Sequence, residues 1–244
     1  MALGGILCVG CNQKAAEPRQ DALGEGGPGD SSASGHEATA PVGKELAVND
    51  SPTGKPAKAE SEAPHSAKVG QPAPAFSLKD LTGQDVSLEQ FRDKTVVLEW
   101  FNPNCPFVKA AHTKGSLVDA AARAMKEGVV WLAINSGAAG KQGHGKVASQ
   151  AGKLAFAMNH PILLDESGEV GRSYGATNTP HIFIIDGAGT LVYAGAVDNS
   201  PDGEGESPTS GTLVSYVDKA LAEIASGKPV STSQTKAYGC SVKY

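Results

Sequence analysis

The distribution of aromatic side chains limits most strongly what this 244-residue chain can fold into. All thirteen Phe, Tyr and Trp residues lie between Phe76 and Tyr244. The residues before Phe76 therefore have little large apolar surface to offset the chain entropy that folding removes. The stretch from Phe76 onwards, about 170 residues, has the size of an ordinary domain and is long enough to bury a substantial core. We expect one folded domain after an N-terminal segment that has no core of its own.

The charge and hydropathy of the chain argue against two classes of partner. The formal net charge is −5, and acidic and basic residues are interspersed. The sequence has no basic stripe of the kind that binds a phosphate backbone, so we expect no nucleic acid partner. The longest apolar run near the start, residues 2–10, is shorter than the ~20 residues that span a bilayer, and no later segment reaches that length. We predict no transmembrane helix.

The first eleven residues resemble the end of a bacterial lipoprotein signal, in which a small residue precedes the cysteine that receives the lipid. Gly10 and Cys11 match this pattern, while Cys8 stands where leucine is usual and no Lys or Arg precedes the apolar run. The resemblance implies lipidation of Cys11 and an extracytoplasmic protein, on the periplasmic side, that meets the membrane through a lipid anchor only. An N-terminus that is never processed is the alternative.

Composition divides the rest of the chain into a spacer and a domain. Residues 12–68 are rich in Gly, Ala, Ser, Pro, Glu and Lys and are predicted to form a disordered linker. From residue 69 to 244, short apolar runs alternate with longer amphipathic stretches, which is typical of an α/β domain. We predict strands at 76–78, 86–88, 95–101, 129–135, 162–164, 182–185 and 191–194 and a helical turn at 88–92. Helices are predicted at 106–126, with Gly115 as a weak point, and at 146–158, 169–174 and 213–225.

One cysteine stands at the start of a predicted helix. Cys105 follows the buried strand and is followed by Pro106, a residue favoured at the first position of a helix. Cys105 then occupies the N-cap, where unpaired backbone N–H groups and the helix dipole stabilise a thiolate and lower the pKa of the cysteine. Lys109, one turn later, either adds positive charge on the same side or is simply solvated.

These motifs together resemble the thioredoxin superfamily: a strand, a cysteine at a helix start, and a later Thr179-Pro180 before another strand. The segment 75–88 is similar to the redoxin branch, and residues 104–109 with the terminal 238–243 are similar to a peroxiredoxin-like group within it. The resemblance implies an α/β thioredoxin-like fold, with a central mixed β-sheet flanked by helices and an N-terminal β-hairpin extension.

The resemblance also implies roles for two further sites. Thr179-Pro180 matches the cis-proline that lies beside the reactive sulfur and presents its backbone to an extended partner chain; a trans proline that begins an edge strand is the alternative. Glu99 stands where thioredoxins keep a buried acid that accepts or relays a proton during exchange. A solvent-facing Glu99 on an edge strand is equally compatible with the sequence.

Cys240 is the candidate resolving thiol. Val108 occupies the second cysteine position of the Cys-x-x-Cys motif, so the motif itself holds no dithiol. Attack of Cys240 on a sulfenic acid or mixed disulfide at Cys105 releases the partner and closes an intramolecular bridge. An inert buried cysteine or a static disulfide partner is the competing interpretation.

The reaction itself is less constrained than the fold. Relative to the peroxidase pattern, Asn102 replaces the threonine, Leu98 replaces the proline, and no arginine lies near His181. The amide of Asn102 can still hydrogen-bond a peroxide oxygen. We predict exchange with protein thiols and disulfides, supported by a thiol electron donor and no cofactor or metal, over two alternatives: a hydroperoxide reductase and a non-catalytic binding module.

Two conditions follow for an enzyme of this kind. The sulfur of Cys105 must lie close to residue 180, and it must not be sealed among packed side chains. A metal site formed by Cys105 with His112, His144 or His181 is a minor alternative, because the second cysteine of copper-delivering relatives is missing.

Overall fold

The computed structural model describes residues 67–244. The predictions of a lipoprotein signal at 1–11, with lipidation at Cys11, and of a linker at 12–68 lie outside the described residues, apart from residues 67 and 68. Nine strands, five α-helices and one short 3-10 helix, Leu88–Phe91, form within the described part of the chain. The strands are β1 Ser77–Asp80, β2 Asp85–Ser87, β3 Val96–Trp100, β4 Val130–Asn135, β5 Ile162–Leu164, β6 Asn178–Thr179, β7 His181–Ile185, β8 Leu191–Gly195 and β9 Cys240–Ser241; the helices are α1 Pro106–Thr113, α2 Ala120–Lys126, α3 Gly145–Ala155, α4 Glu169–Tyr174 and α5 Tyr216–Ala225.

Seven strands form one mixed sheet in the order β2-β1-β5-β4-β3-β7-β8. The pairs β3–β4 and β4–β5 are parallel, and the other pairs are antiparallel. The hairpin of β1 and β2 lies at one edge, as predicted, and its turn is held by the carboxylate of Asp80, which accepts from the backbone N–H groups of Thr82 and Gln84. The expected mixed sheet with an N-terminal hairpin is confirmed.

The two faces of β3 bury different sets of side chains, because successive residues of a strand point to opposite faces. Val97 packs with apolar residues of α1, α2 and α5. Leu98 and Trp100 pack on the other face with Tyr174 of α4 and Phe183 of β7. The sheet is therefore covered by helices on both sides, and β3 carries its C-terminal end toward Cys105 from the middle of the core.

The prediction of one helix over residues 106–126 is wrong, because the structure has two helices with a break between Thr113 and Ala120. The break occurs at Gly115, where a Cβ atom would lie only 2.1 Å from the carbonyl oxygen of Gly203. A distant loop thus packs directly against the backbone at this point. The closing helix α5 also begins later than predicted, at Tyr216, because Ser215 caps it by accepting a hydrogen bond from the N–H of Asp218.

The C-terminal segment makes a second, two-stranded sheet that the sequence pattern does not predict. β6 and β9 pair antiparallel, with Asn178 opposite Ser241 and Thr179 opposite Cys240. Strands of two residues carry no periodicity that a sequence can reveal. This small sheet brings the end of the chain to the helix start at Cys105.

Candidate active site

Cys105 lies at the N-cap of α1, as its neighbour Pro106 predicts. The preceding turn is held by Asn102, whose backbone carbonyl accepts from the N–H of Cys105 at 3.0 Å. The side chain of Asn102 accepts from the N–H of Asn104 at 2.9 Å and donates to the carbonyl of Gln142 at 3.0 Å. Asn102 is therefore engaged in fixing the turn, and its side chain oxygen is already used by backbone.

The sulfur of Cys105 lies against the segment predicted to contain a cis-proline. The Thr179–Pro180 peptide bond is cis, as the resemblance implied. The thiol of Cys105 donates to the carbonyl oxygen of Thr179 at 3.1 Å, so its proton is directed away from the helix and does not cap it. The hydroxyl of Thr179 is also buried, and it has no hydrogen-bond partner among the described residues. The first of the two conditions, a sulfur beside residue 180, is met.

Cys240 is brought to the same place by the tail. It pairs with Thr179 across the β6–β9 ladder, and its side chain packs against the apolar cluster that contains Cys105. Both cysteines are free thiols. The sequence connected Cys105 and Cys240 only through a family resemblance. In the structure, the two side chains are neighbours.

The two thiols are made chemically unequal by their surroundings. Burial raises the pKa of Cys105, but the donors around the sulfur stabilise the thiolate and outweigh burial, so the pKa lies below its usual value. These donors are the side chains of Thr179 and Cys240 and the N–H groups of Val108 and Cys240. Burial and the neighbouring Cys105 raise the pKa of Cys240 to about 11. The proton at this site therefore leaves Cys105 first, which is the order that a nucleophile and a resolving thiol require.

The second condition, an unsealed sulfur, is not met in this conformation. Cys105 is only 1% exposed. The cover is not made by the core alone, however, because Cys240 of the C-terminal strand and the neighbouring Phe107 are only partly buried where they pack on this cluster. Access to the sulfur thus depends on the tail.

Glu99 is buried in the middle of the central strand β3 and is 0% exposed, which excludes the solvent-facing alternative. One carboxylate oxygen lies 2.6 Å from Nε2 of His112, and the other accepts from the indole N–H of Trp131 at 3.1 Å. Burial raises the pKa of Glu99, but the charge and hydrogen bond of His112 outweigh it, so the net shift is downward. The carboxylate is thus bonded to α1 and β4, and neither oxygen is hydrogen-bonded to Cys105.

Two partners of this buried acid were missed by sequence reasoning. The sequence suggested His112 only as a metal ligand with Cys105, whereas its ring contacts Glu99, 13 residues earlier in the chain. His160 lies close to the same carboxylate, and neither of its buried ring nitrogens has a hydrogen-bond partner in the described part of the chain. Both are brought to Glu99 by the packing of helices on the sheet, for which the sequence carries no local signal.

The remaining candidates lie apart from the sulfur. Lys109 is exposed, and its side chain makes no hydrogen bond or ion pair with the residues that the structure describes. Nδ1 of His144 lies 2.7 Å from the carbonyl oxygen of Gly137, and Nδ1 of His181 accepts from the N–H of Thr177. Within residues 67–244, no group of three His, Cys, Asp or Glu side chains is placed to hold a metal ion. Over the same range, none of the helices combines the length and apolar character needed to cross a membrane.

Comparison with known proteins connects this geometry to a family. A family model described as Redoxin matches residues 68–213. The thiol-disulfide oxidoreductase ResA of Geobacillus thermodenitrificans is 32% identical over 124 residues, which cover 50% of this chain and 66% of that protein, just under two thirds of its length. The protein of the same name from Bacillus thuringiensis is 25% identical, and the match covers 51% of this chain and 68% of that protein.

Two solved structures match a larger share of the chain. An uncharacterized conserved protein from Geobacillus kaustophilus is 32% identical, with a TM-score of 0.63, and the match covers 72% of this chain and 92% of that one. A hypothetical protein from Sinorhizobium meliloti is 29% identical, with a TM-score of 0.64, and the match covers 74% of this chain and 96% of that one. The overall fold is therefore shared with proteins from two other bacteria.

Proposed function

Because the chain belongs to the redoxin family and has a thioredoxin-like fold, we propose that it is an oxidoreductase that exchanges thiols and disulfides with protein substrates through the Cys105 thiolate. The observation that carries this proposal is the position of the Cys105 sulfur, 3.1 Å from the carbonyl oxygen that precedes the cis-proline, with Cys240 on the paired strand. The relatives named thiol-disulfide oxidoreductases support the same reaction class.

The reaction proceeds in two exchanges that balance atoms and electrons. The Cys105 thiolate attacks one sulfur of a client disulfide, and the other client sulfur leaves as a thiolate that takes up a proton. Cys240 then loses its proton and attacks the Cys105 sulfur of the mixed disulfide, and the second client sulfur leaves as a thiol. The client gains two electrons, and the protein ends with a Cys105–Cys240 disulfide. An external dithiol donor returns it to the reduced form.

The residues around the Cys105 sulfur have different supporting roles in the proposed reaction. The hydroxyl of Thr179 stabilises the thiolate, and its backbone together with Pro180 orients an extended client chain. Asn102 holds the turn that aims the sulfur. Glu99 acts as a positioning residue, because its bond to His112 ties the last turn of α1 to the sheet. Lys109 contributes long-range positive charge at most.

The place of action follows from the N-terminal segment. We propose that the protein works outside the cytoplasm and is held at a membrane by lipid on Cys11, which the signal-like residues 1–11 support. Detergent phase partitioning tests this anchor. The wild-type protein is expected in the detergent phase and the Cys11→Ser variant in the aqueous phase, and a wild-type protein found in the aqueous phase would contradict the anchor.

Trapping of a mixed disulfide tests the reaction. With a disulfide-bonded client protein and a dithiol donor, the wild type is expected to accelerate reduction, Cys105→Ser to abolish the acceleration, and Cys240→Ser to accumulate a Cys105–client disulfide. Cys8→Ser is the control, because Cys8 lies outside the described domain. The proposal is overturned if Cys105→Ser still accelerates reduction, or if the wild type does not accelerate it. A wild type without acceleration is the result expected of a non-catalytic binding module.

Peroxide reduction is the second candidate, and the lowered pKa of Cys105 beside a second thiol favours it. In this reaction the thiolate attacks a peroxide oxygen, an alcohol or water leaves, and Cys240 condenses with the sulfenic acid to release water. Hydroperoxide consumption with a dimedone adduct on Cys105 in the Cys240→Ser variant identifies it. The side chain oxygen of Asn102 is already bonded to Asn104, which weighs against a peroxide-binding role for Asn102.

A further inference from the structure

The C-terminal residues 239–244, which we call the strap, pass over the candidate active site at Cys105. The chain before it is fixed on β8, where Thr235 donates its N–H to the carbonyl of Ala194. The hydroxyl of Tyr238 then donates to the carboxylate of Asp198 at 2.8 Å. From this fixed point the strap continues as β9 along the strand that precedes the cis-proline. The strap is thus a short terminal segment with a defined start.

The far end of the strap is held by a backbone hydrogen bond, in which the N–H of Ala138 donates to the carbonyl of Lys243 at 2.7 Å, and by the side chain of Tyr244. The ring of Tyr244 lies against two glycines of the α4 region, since a Cβ atom would lie 2.6 Å from the ring at Gly168 and 2.5 Å from the hydroxyl at Gly171. The guanidinium carbon of Arg172 lies 4.6 Å from the ring centroid. The hydroxyl of Tyr244 donates to the carbonyl of Ala176 at 2.8 Å. These contacts form a defined binding site for the side chain of Tyr244.

The strap is packed closely against the β6 strand from its first residue onwards. Gly239 has a φ of +104°, and a Cβ atom there would lie 2.2 Å from the carbonyl oxygen of Thr179. The carbonyl of Gly239 accepts from the side chain of Asn178 at 3.1 Å. The N–H of Val242 donates to the carbonyl of Thr177 at 3.0 Å. The strap therefore uses the polar groups of this strand that an added chain needs for strand pairing.

On the basis of the proposed function, we propose that the strap and a client segment bind alternately at the same position beside Thr179. The strap fills this position when no client is bound. The client is then an extended segment with glycine immediately before its reactive cysteine, because a side chain at that position meets the carbonyl of Thr179. Release of the strap exposes the Cys105 sulfur. Its return brings Cys240 to the mixed disulfide, so one movement both resolves the disulfide and displaces the client.

Alkylation of Cys105 measures release of the strap. In the reduced full-length protein, with the Cys105 peptide followed by mass spectrometry, Tyr244→Ala is expected to react at least about tenfold faster than the wild type, because it removes a hydrogen bond and a cation–π contact. Tyr244→Phe keeps the ring and is expected to fall between them. Gly239→Ala is expected to match or exceed Tyr244→Ala, since it displaces the start of the strap from Thr179.

Two controls separate strap release from general loosening. Lys236→Ala changes an exposed tail side chain before the strap and is expected to react like the wild type. Gly211→Ala places an alanine at a left-handed glycine with open space around it, and so reproduces the backbone strain of Gly239→Ala without its clash. Equal rates in the wild type, Tyr244→Ala and Gly239→Ala overturn the strap. Hydrogen exchange gives a second reading, with protection lost at Val242 and kept in β3.

A peptide substrate tests the client class. A peptide with the sequence of residues 238–244, its cysteine in a disulfide with thionitrobenzoate, is expected to react with Tyr244→Ala about tenfold faster than the same peptide with alanine in place of glycine. Equal rates overturn the glycine requirement. If the wild type exchanges disulfides normally but no strap variant changes the alkylation rate of Cys105, the strap proposal is rejected and the proposed function stands. If no variant exchanges disulfides, the proposed function is rejected.

Discussion

The Cys105 sulfur is subject to two opposing effects on its ionisation. Burial favours the neutral thiol, while Thr179, Cys240 and the N–H of Val108 favour the thiolate and outweigh burial. A sulfur can thus be hidden from solvent and still have a lowered pKa, provided that the groups hiding it are hydrogen-bond donors. This differs from an exposed N-cap cysteine, whose acidity comes from the helix alone.

The Thr179 hydroxyl is the donor that a single substitution removes most cleanly. In Thr179→Val the pKa of Cys105 is expected to rise, and alkylation at pH 7 to slow about three- to tenfold, because a hydrogen bond to a charged group is lost. The pH dependence of Cys105 alkylation measures this. Thr179→Ser should restore the wild-type profile, and Thr177→Val, whose hydroxyl donates only to Asn178, is the matched control. An unchanged profile in Thr179→Val would show that the hydroxyl does not act on the sulfur.

The buried acid at Glu99 is a second residue whose effect is measurable. Glu99→Gln keeps the shape but removes the charge that faces His112, and we expect it to lower the free energy of unfolding by about 2–4 kcal/mol at pH 7. Because the pKa of Glu99 is lowered on folding, its stabilising contribution is present above its unfolded pKa and is lost as the pH falls through the folded value. The deficit of the variant should therefore shrink in acid.

Urea unfolding at pH 7 and in acid tests this expectation. The exposed Glu89→Gln is the control and is expected to stay within about 0.5 kcal/mol of the wild type. A Glu99→Gln protein as stable as the wild type at pH 7 would show that the carboxylate and His112 are not a stabilising pair in the folded protein.

At the scale of elements, local signals predicted the central strands and the starts of α1, α3 and α4, while a contact with a distant segment determined where α1 ends. Pro106 predicts where α1 begins because the preference is local. The end of α1 at Thr113 depends on a loop about 90 residues later in the chain, whose Gly203 packs against Gly115. The β6–β9 pair depends likewise on a tail that carries no strand periodicity of its own. For the same reason, the contact of Cys105 with Thr179 could be reached only through a family resemblance.

The break between α1 and α2 gives a test at this scale. Gly115→Ala favours helix locally but places a Cβ atom 2.1 Å from the carbonyl oxygen of Gly203, and that oxygen is backbone that cannot move freely. We expect Gly115→Ala to destabilise the protein by about 1–3 kcal/mol, as overpacking does. Thermal or urea unfolding measures it. A variant more stable than the wild type would mean that helix propensity, and not this packing, decides the break.

At the scale of the whole molecule, the site gathers residues from three separated parts of the chain. The helix start supplies Cys105, the loop before β7 supplies Thr179 and Pro180, and the end of the chain supplies Cys240. The first two are joined by the central sheet, since β3 and β7 are paired neighbours. Cys240 is held only by the tail. One part of the site is therefore built on the central sheet, and the other part is carried by the C-terminal segment. The proposed exchange requires this division, because Cys105 is buried while the tail is in place.

The acid stability of the molecule depends on two buried histidines. Burial lowers the pKa of His160 and of His181 to about 4 in each case. In the unfolded chain a histidine titrates near its usual value of about 6.5, so between these values the unfolded chain binds protons that the folded protein does not. Stability is therefore expected to fall as the pH drops from 6.5 toward 4, by about 3 kcal/mol for each histidine. From pH 7 to 8 it should change little on their account.

His160→Phe isolates one of these contributions. The ring of His160 packs near Trp131, and the charged groups near it are those of Glu99, His112 and Lys153. Phenylalanine fills the same space and does not titrate, so we expect about half of the histidine-linked acid destabilisation to disappear. Urea unfolding from pH 8 to 4 measures the slope in both proteins. If the variant loses stability in acid as steeply as the wild type, His160 is not the buried neutral imidazole that this packing requires.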